Sequence, residues 1–304
     1  MKKLILNLFL ILFAFFAISG CGKEYSEKGS ARYIKEINDW HRKRIANLRK
    51  ENGWLNLVGL YWLKEGTNTF GSDPSNDIIF PEGKARKFLG KFVKTDSVIT
   101  IVVNEHSLVF LNGSSVKKMR MIDDLHENTT ILSHKTLRWH IIKRGPDKYG
   151  VRLRDLEADL LKSFEGIERF PVNEDWRINA EFMPYNPPKE LNIPTIIGTI
   201  EKELSPGKLS FKIQGEKFTL DVTDAGDKYF IVFADLTSGE ETYGAGRFIY
   251  TDKPDSNNRV ILDFNKAYNP PCAFTKYATC PLPTKGNYLN IAVTAGEKNY
   301  GHGH

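Results

Sequence analysis

The residues best equipped for chemistry crowd toward the C-terminus. There Asp263-Phe264-Asn265-Lys266-Ala267-Tyr268-Asn269-Pro270-Pro271-Cys272 runs on to Cys280-Pro281-Leu282-Pro283. Adjacent prolines fix φ and remove two N–H donors, so the chain around Cys272 is expected to be a rigid, non-repetitive loop. Asp263, Asn265, Tyr268 and Asn269 add a carboxylate, two amides and a phenol on or beside it, and loops carry most function. Upstream, Tyr243-Gly244-Ala245-Gly246-Arg247 sets two glycines beside a cation. Backbone can approach a ligand closely at such glycines, and the same pattern also suits a bulge. It lacks the helix start of a nucleotide loop. Arg247, Asp263, Asn265, Tyr268 and Asn269 therefore form the candidate ligand-binding set, at the mouth of a pocket for a small molecule or glycan.

The two cysteines admit three chemistries. As a disulfide, Cys272–Cys280 closes a small loop that the chain-entropy model values at roughly 2–3 kcal/mol, in keeping with an oxidising compartment. As a metal site, two thiolates need two further ligands, and no His lies between Arg247 and Tyr300; neither metal nor cofactor is expected. As a nucleophile, either thiol needs a base brought in by the fold. His106, His126, His134 and His140 all lie in the first half, and His140, between Trp139 and Ile141, suits a packed strand position better. A hydrolase using Asp263 or a His as base is the alternative to a binder, and a structural or assembly role ranks third. Arg152, Arg154 and Asp155, with Arg177 and Glu181 on a neighbouring strand, read as structural ion pairs. Nothing matches Gly-x-Ser-x-Gly, His-Glu-x-x-His or a P-loop.

The Tyr-Asn-Pro-Pro-Cys-Ala-Phe run of 268–274, with Tyr-Ala-Thr-Cys-Pro-Leu-Pro at 277–283, is similar to the signature of the bacterial domain-of-unknown-function family 1684. The resemblance extends back through Gly244–Phe248, Phe170–Trp176 and Trp54–Leu63. It implies a widespread bacterial domain, exported in several members, with the Cys-containing loop as its hallmark and no assigned activity.

The N-terminus speaks to place rather than reaction. Met1-Lys2-Lys3 precedes an apolar run, Leu4–Ile18, broken only by Asn7, and Ser19-Gly20-Cys21 closes it. A basic start, a short apolar run and small residues before a cut describe a secretory signal. Cys21 directly after the small pair is the acceptor a bacterial lipoprotein signal requires. Residues 1–20 are expected to be removed and the Cys21 thiol acylated, palmitate being one such chain. Several buried acyl chains anchor a protein to a membrane without a spanning helix. The expected location is the cell envelope, with the mature domain outside the cytoplasm. The net charge of +6 falls to about +4 without Lys2 and Lys3, too little and too scattered for a nucleic-acid partner.

These residues need elements to position them. Residues 21–30 read as a tether and 31–53 as a helix, with Ile34, Ile37, Ile45 and Leu48 at helical spacing and His41 in the stripe. Short apolar runs then alternate with Gly, Pro, Asn and Asp, as in a mainly β protein. A β-sandwich-like half is expected over 54–145 and a curved-sheet or barrel-like half over 146–298, before a tail at 299–304. Gly145-Pro146-Asp147-Lys148 marks the expected boundary, Tyr149–Leu153 opens the second half, Pro184–Pro194 is a loop, and Tyr288–Ala295 is a closing strand. Lys84–Lys94 and Lys117–Arg120 read as solvated strand faces. Gly71-Ser72-Asp73-Pro74-Ser75-Asn76-Asp77-Ile78 resembles a segment of the forkhead-associated phosphothreonine binders. Ser72 stands where their phosphate-binding Arg belongs, and no Ser-x-x-His follows in 80–92. Without the guanidinium fork, phosphopeptide binding is not expected.

Overall fold

A computed structural model describes residues 25–301; the expected signal segment 1–20, Cys21 and the terminal histidines lie outside them. The described chain is mainly β, in two halves with separate cores, preceded by one long helix, α1 (Ala31–Leu48). Ser30 caps α1 by accepting the Tyr33 N–H at 3.3 Å, which satisfies one of the donors orphaned at a helix start. The helix stops at the Arg49 cap, short of the expected Gly53, and residues 49–53 turn the chain toward β1 (Leu57–Trp62). No described helix is long and apolar enough to cross a membrane.

The first half is sandwich-like. One sheet runs from β1 through β11 (Lys148–Asp155), β10 (Leu137–Arg144) and β9 (Leu132–His134) to β6 (Phe110–Leu111) and β7 (Ser114–Ser115). The other orders β3 (Ile78–Ile79), β2 (Gly66–Gly71), β4 (Gly90–Thr95), β5 (Val98–Val103) and β8 (Lys118–Met121). Between them Phe70, Phe80, Phe92 and Trp139 pack as one aromatic cluster, with Phe70–Phe92 centroids 4.6 Å apart. Fully buried aromatics of this size dominate core energetics. Asn112 and Gly113, both at positive φ, make the β6–β7 turn, the backbone that Asn-Gly hairpins favour. Of the Lys-rich segments, Lys91 and Lys94 fall in β4 and Lys118 and Arg120 in β8, whereas Lys84, Arg86 and Lys87 lie on the irregular connection before β4. Lys94 is buried against Glu65 at 2.6 Å rather than solvated.

Three expectations are corrected. Gly145-Pro146-Asp147 is the turn of the β10–β11 hairpin, and β11 pairs with both β10 and β1. Tyr149–Leu153 thus belongs to the first sandwich rather than opening the second half. A Gly/Pro/Asp cluster signals a turn but does not say whether the strands beside it pair with each other.

Pro184–Pro194 is not a loop but the outer part of β12 (Arg177–Pro194), which pairs with β13 (Ile200–Ile213). The register shifts between Pro184 and Lys189, and β17 (Arg259–Asp263) covers only Arg177–Glu181 on the other side. Prolines are tolerated where a strand bulges or forms an edge. Finally, only Tyr288–Leu289 of the expected closing strand is β-structured, as β18 beside β15 (Lys228–Asp235). Beyond it, the carbonyls of Val293 and Ala295 accept from the Arg247 guanidinium instead of a neighbouring strand.

The second half orders β16 (Arg247–Asp252), β15, β14 (Glu216–Ala225), β13, β12 and β17 into a curled sheet that nearly closes as a barrel. Phe211, Phe233, Phe264 and Trp176 fill its centre. Helix α1 lies against it through Tyr33 and Ile37, both buried with Val172. Leu48 at the far end packs on Leu55, Phe164 and Phe274.

Candidate functional site

A cleft of about 740 Å³ opens between α1 and the seam of the curled sheet. Helix α1 supplies Glu36, Trp40, Lys43, Arg44 and Asn47, whose spacing places them on one face. Strands β15 and β16 supply Phe230, Phe248, Tyr250 and Thr251, and β17 supplies Ile261 and Asp263. Alternation along β16 puts Phe248 and Tyr250 on one side, where Phe230 packs edge-on to Phe248 and tilted against Tyr250, each at 4.9 Å. Tyr268 stacks near Tyr250 at 6.3 Å, and the Arg44 guanidinium sits 4.6 Å over its ring. That cation–π contact is worth ~0.5–2 kcal/mol in general. Trp54 closes one end of the cleft. It packs on the cluster of Val232, Phe248, Ala278 and Cys280, and Arg152 and Arg154 of the first half lie 5.6 and 5.8 Å from its ring.

Of the five candidate ligand residues, Asp263 and Tyr268 line this cleft. Asp263 Oδ1 accepts from Tyr33 Oη at 2.8 Å and from the Asn265 backbone at 3.1 Å. Its Oδ2 has no hydrogen-bond partner, the Lys266 ammonium standing 3.8 Å away. Burial pushes its pKa up against the opposing donors Tyr33 and Asn265, because desolvation disfavours the charged form. Thr251, another lining residue and 3% exposed, carries a second unpartnered oxygen, Oγ1. Buried polar groups are nearly always satisfied, so such exceptions need an explanation.

Arg247, Asn265 and Asn269 do not line the cleft. Arg247 is fully buried, ion-paired to Asp235 at 2.8 Å, and donates from Nη1 and Nη2 to the Val293, Ala295 and Glu297 carbonyls, with only Nε left unpartnered among its nitrogens. Asn265 bridges Tyr33, Asp263 and Asn173. Asn269 donates its backbone N–H to Glu297 Oε2 at 2.7 Å and its side-chain amide to the Lys298 carbonyl. Glu297, raised in pKa by burial, also meets Arg44. These three hold the motif loop to the C-terminal segment and to α1. Gly246, at φ +87°, packs where a Cβ would lie 2.5 Å from the Phe233 carbonyl, so its part in the Gly-x-Gly pair is close backbone packing.

Cys272 and Cys280 are both free, and the expected disulfide is not formed. The Cys272 N–H donates to Cys280 Sγ at 3.1 Å, and Tyr243 Oη donates to the Cys272 carbonyl. Hydrogen bonding from Cys280 holds the Cys272 thiol below its ordinary pKa, whereas burial pushes Cys280 up. His140, opposite Arg152 on β11, is pushed down to about 3 by burial and by Arg152, Arg154 and Arg144. Among the described residues no His lines the cleft, and no group of three or more His, Cys, Asp or Glu is placed to hold a metal.

Sequence reasoning placed the site on the motif loop and missed the helical wall. The signal available was the Trp40, Lys43, Arg44 and Asn47 face of α1, which reads as solvated because periodicity identifies only the apolar stripe.

In the Gly71–Ile78 segment, Ser72 Oγ donates to the Ala85 carbonyl at 3.0 Å, and buried Asn76 donates to the Asp73 and Lys87 carbonyls. Both side chains are committed to holding the turn.

Comparison with known proteins yields a family of unknown function. No curated protein matches the chain. A solution structure of an uncharacterised protein of Haloarcula marismortui is similar at 30% identity, covering 45% of this chain and 78% of that one, with a TM-score of 0.39. The FHA domain of FhaA, solved in complex with an intracellular domain, is similar at 13% identity over 33% of this chain and 96% of its own, with a TM-score of 0.24. A structure from work on phosphothreonine-dependent FHA interactions is similar at 12% over 31% and 92%, with a TM-score of 0.22. Likenesses at such scores carry no functional argument. Over residues 162–298, which hold the motif loop and the curled sheet, the chain carries a domain of the family described as protein of unknown function DUF1684.

Proposed function

We propose that this chain is a lipid-anchored protein of the cell envelope that binds a small molecule or glycan in the cleft between α1 and the curled sheet. The cleft's composition carries the reading. Aromatic walls and a few convergent polar groups are what small-ligand sites share, and Asp263 Oδ2 and Thr251 Oγ1 are unsatisfied beside them. A bound hydroxyl would satisfy either atom once the side chains that cover it shift. A hydrolytic reading would rest on Asp263 alone as base, with no adjacent nucleophile identified, so binding is favoured.

The test is a fragment screen by NMR, with sugars and small aromatics, following the indole N–H signals of Trp40 and Trp54. Hits that shift these signals in the wild type and are lost in Tyr250→Ala support the reading. A screen whose only hits shift other parts of the protein overturns it. The envelope assignment rests on the Lys2–Cys21 pattern and is tested by mass spectrometry of the chain made in a bacterium. An acylated Cys21 at the mature N-terminus supports anchoring; an intact Met1 end rejects it.

A further inference from the structure

We infer that the ligand of this cleft is an acidic saccharide, a sugar ring carrying a carboxylate or a phosphate ester. The inference rests on the cleft being a ligand site and adds the chemical class. Cations outnumber acids among its lining residues, five (Lys43, Arg44, Arg177, Lys228, Lys266) to three (Glu36, Asp252, Asp263). Most of these cations are already engaged: Lys228 with Asp252 at 2.9 Å, Lys266 with Glu36 at 2.7 Å, and Arg44 with buried Glu297. Lys43 and Arg177 have no carboxylate partner among the described residues, although acidic groups abound on the surface. Two cations without a salt-bridge partner on the walls of one concavity, Arg177 acting on Glu36 only at longer range, focus positive potential on it and favour an anion there.

The rest of the ligand follows from the other walls. An anion alone would leave Tyr250, Trp40 and Tyr268 without a role, so the anionic group must sit on a body with a flat, partly apolar face. That body must also offer hydroxyl groups. Asp263 Oδ2, 3.8 Å from Lys266 Nζ, and Thr251 Oγ1 have no hydrogen-bond partner, and both are covered in the empty cleft, so a ring hydroxyl reaches them as the lining side chains part. A pyranose ring has both a C–H face for the aromatic wall and hydroxyls at its rim. A plain aromatic acid supplies the face and the charge but leaves both oxygens unsatisfied, which is unfavourable for buried polar atoms. A neutral sugar satisfies the oxygens but ignores Lys43 and Arg177.

The experiment titrates the full chain with glucose, glucuronate and glucose 6-phosphate, by calorimetry and tryptophan fluorescence. The wild type is compared with Lys43→Gln/Arg177→Gln, whose exposed positions leave folding intact by a melting-temperature check. At least one acid is expected to bind about ten-fold or more tightly than glucose, with that preference lost in the double variant. Preference for glucuronate assigns the carboxylate, and preference for glucose 6-phosphate the phosphate ester. Equal binding of all three overturns the acidic assignment while leaving the cleft as a sugar site. No binding by any of them overturns the saccharide assignment, and the fragment screen above then decides separately whether the cleft binds anything.

Discussion

The Arg247 guanidinium meets the Asp235 carboxylate at 2.8 Å with both side chains fully buried, and Asp235 Oδ1 also accepts from the Val293 backbone. Together they tie β15 and β16 to the irregular C-terminal segment. Removing one member of a buried pair strands the other charge and typically costs about 3–5 kcal/mol. Asp235→Ala and Arg247→Met are each predicted to lose that much in urea denaturation, and the double variant less than their sum. A single-variant loss below about 1 kcal/mol would contradict this role.

Cys272 is predicted to react with iodoacetamide well before Cys280. Its thiol is held low by Cys280 and it is the less buried of the two, and the thiolate is the reactive form. Peptide mass spectrometry of briefly labelled native protein reads the order. Cys280→Ala removes the hydrogen-bond partner and should slow labelling at Cys272. Preferential labelling of Cys280 would sink the prediction.

Acid should weaken the fold below neutrality. Burial and nearby arginines lower His41 to about 4 and His140 to about 3, while an unfolded His titrates near 6.5. Between those values the unfolded chain takes up protons that the folded one does not, so unfolding gains. Their contribution is fully present above pH 6.5 and is lost as the pH falls toward 4 and then 3. Urea midpoints from pH 7 to pH 4 should decline, and His140→Gln should flatten the decline. An unchanged slope in that variant would reject His140 as a source.

Gly246→Ala is predicted to destabilise by about 2 kcal/mol or more. The residue sits at φ +87°, and a Cβ would meet the Phe233 carbonyl and the Pro283 ring, adding a clash to left-handed backbone strain. Gly113→Ala has the same strain in open space and should cost less. Thermal melts of the two variants make the comparison.

Local pattern made the β class legible, and α1 begins at Ala31 as its apolar spacing implies. What escaped depends on partners far along the chain. The β11 strand could be seen, but its place beside β1, some ninety residues earlier, could not. The prolines of β12 argue against a strand unless the open edge beside them is known. At the site, Asp263 and Tyr268 were legible as chemistry beside the motif loop. Arg247, Asn265 and Asn269 carry equally suggestive side chains, yet their partners are backbone and buried carboxylates brought from elsewhere. Residue type advertises hydrogen-bonding capacity without saying who uses it. The helical wall was hidden for the converse reason: Trp40 and Lys43 look like ordinary surface until the curled sheet stands opposite.

The outer reach of β12 has a further consequence. Beyond Glu181 β17 no longer covers it, and an exposed strand edge is a template onto which another chain can polymerise. Pro184, Pro187 and Pro188 remove donors along that edge, and the register break between Pro184 and Lys189 interrupts its regular spacing. The residues that disguise this strand in the sequence therefore also guard the folded protein against fibre-like self-association.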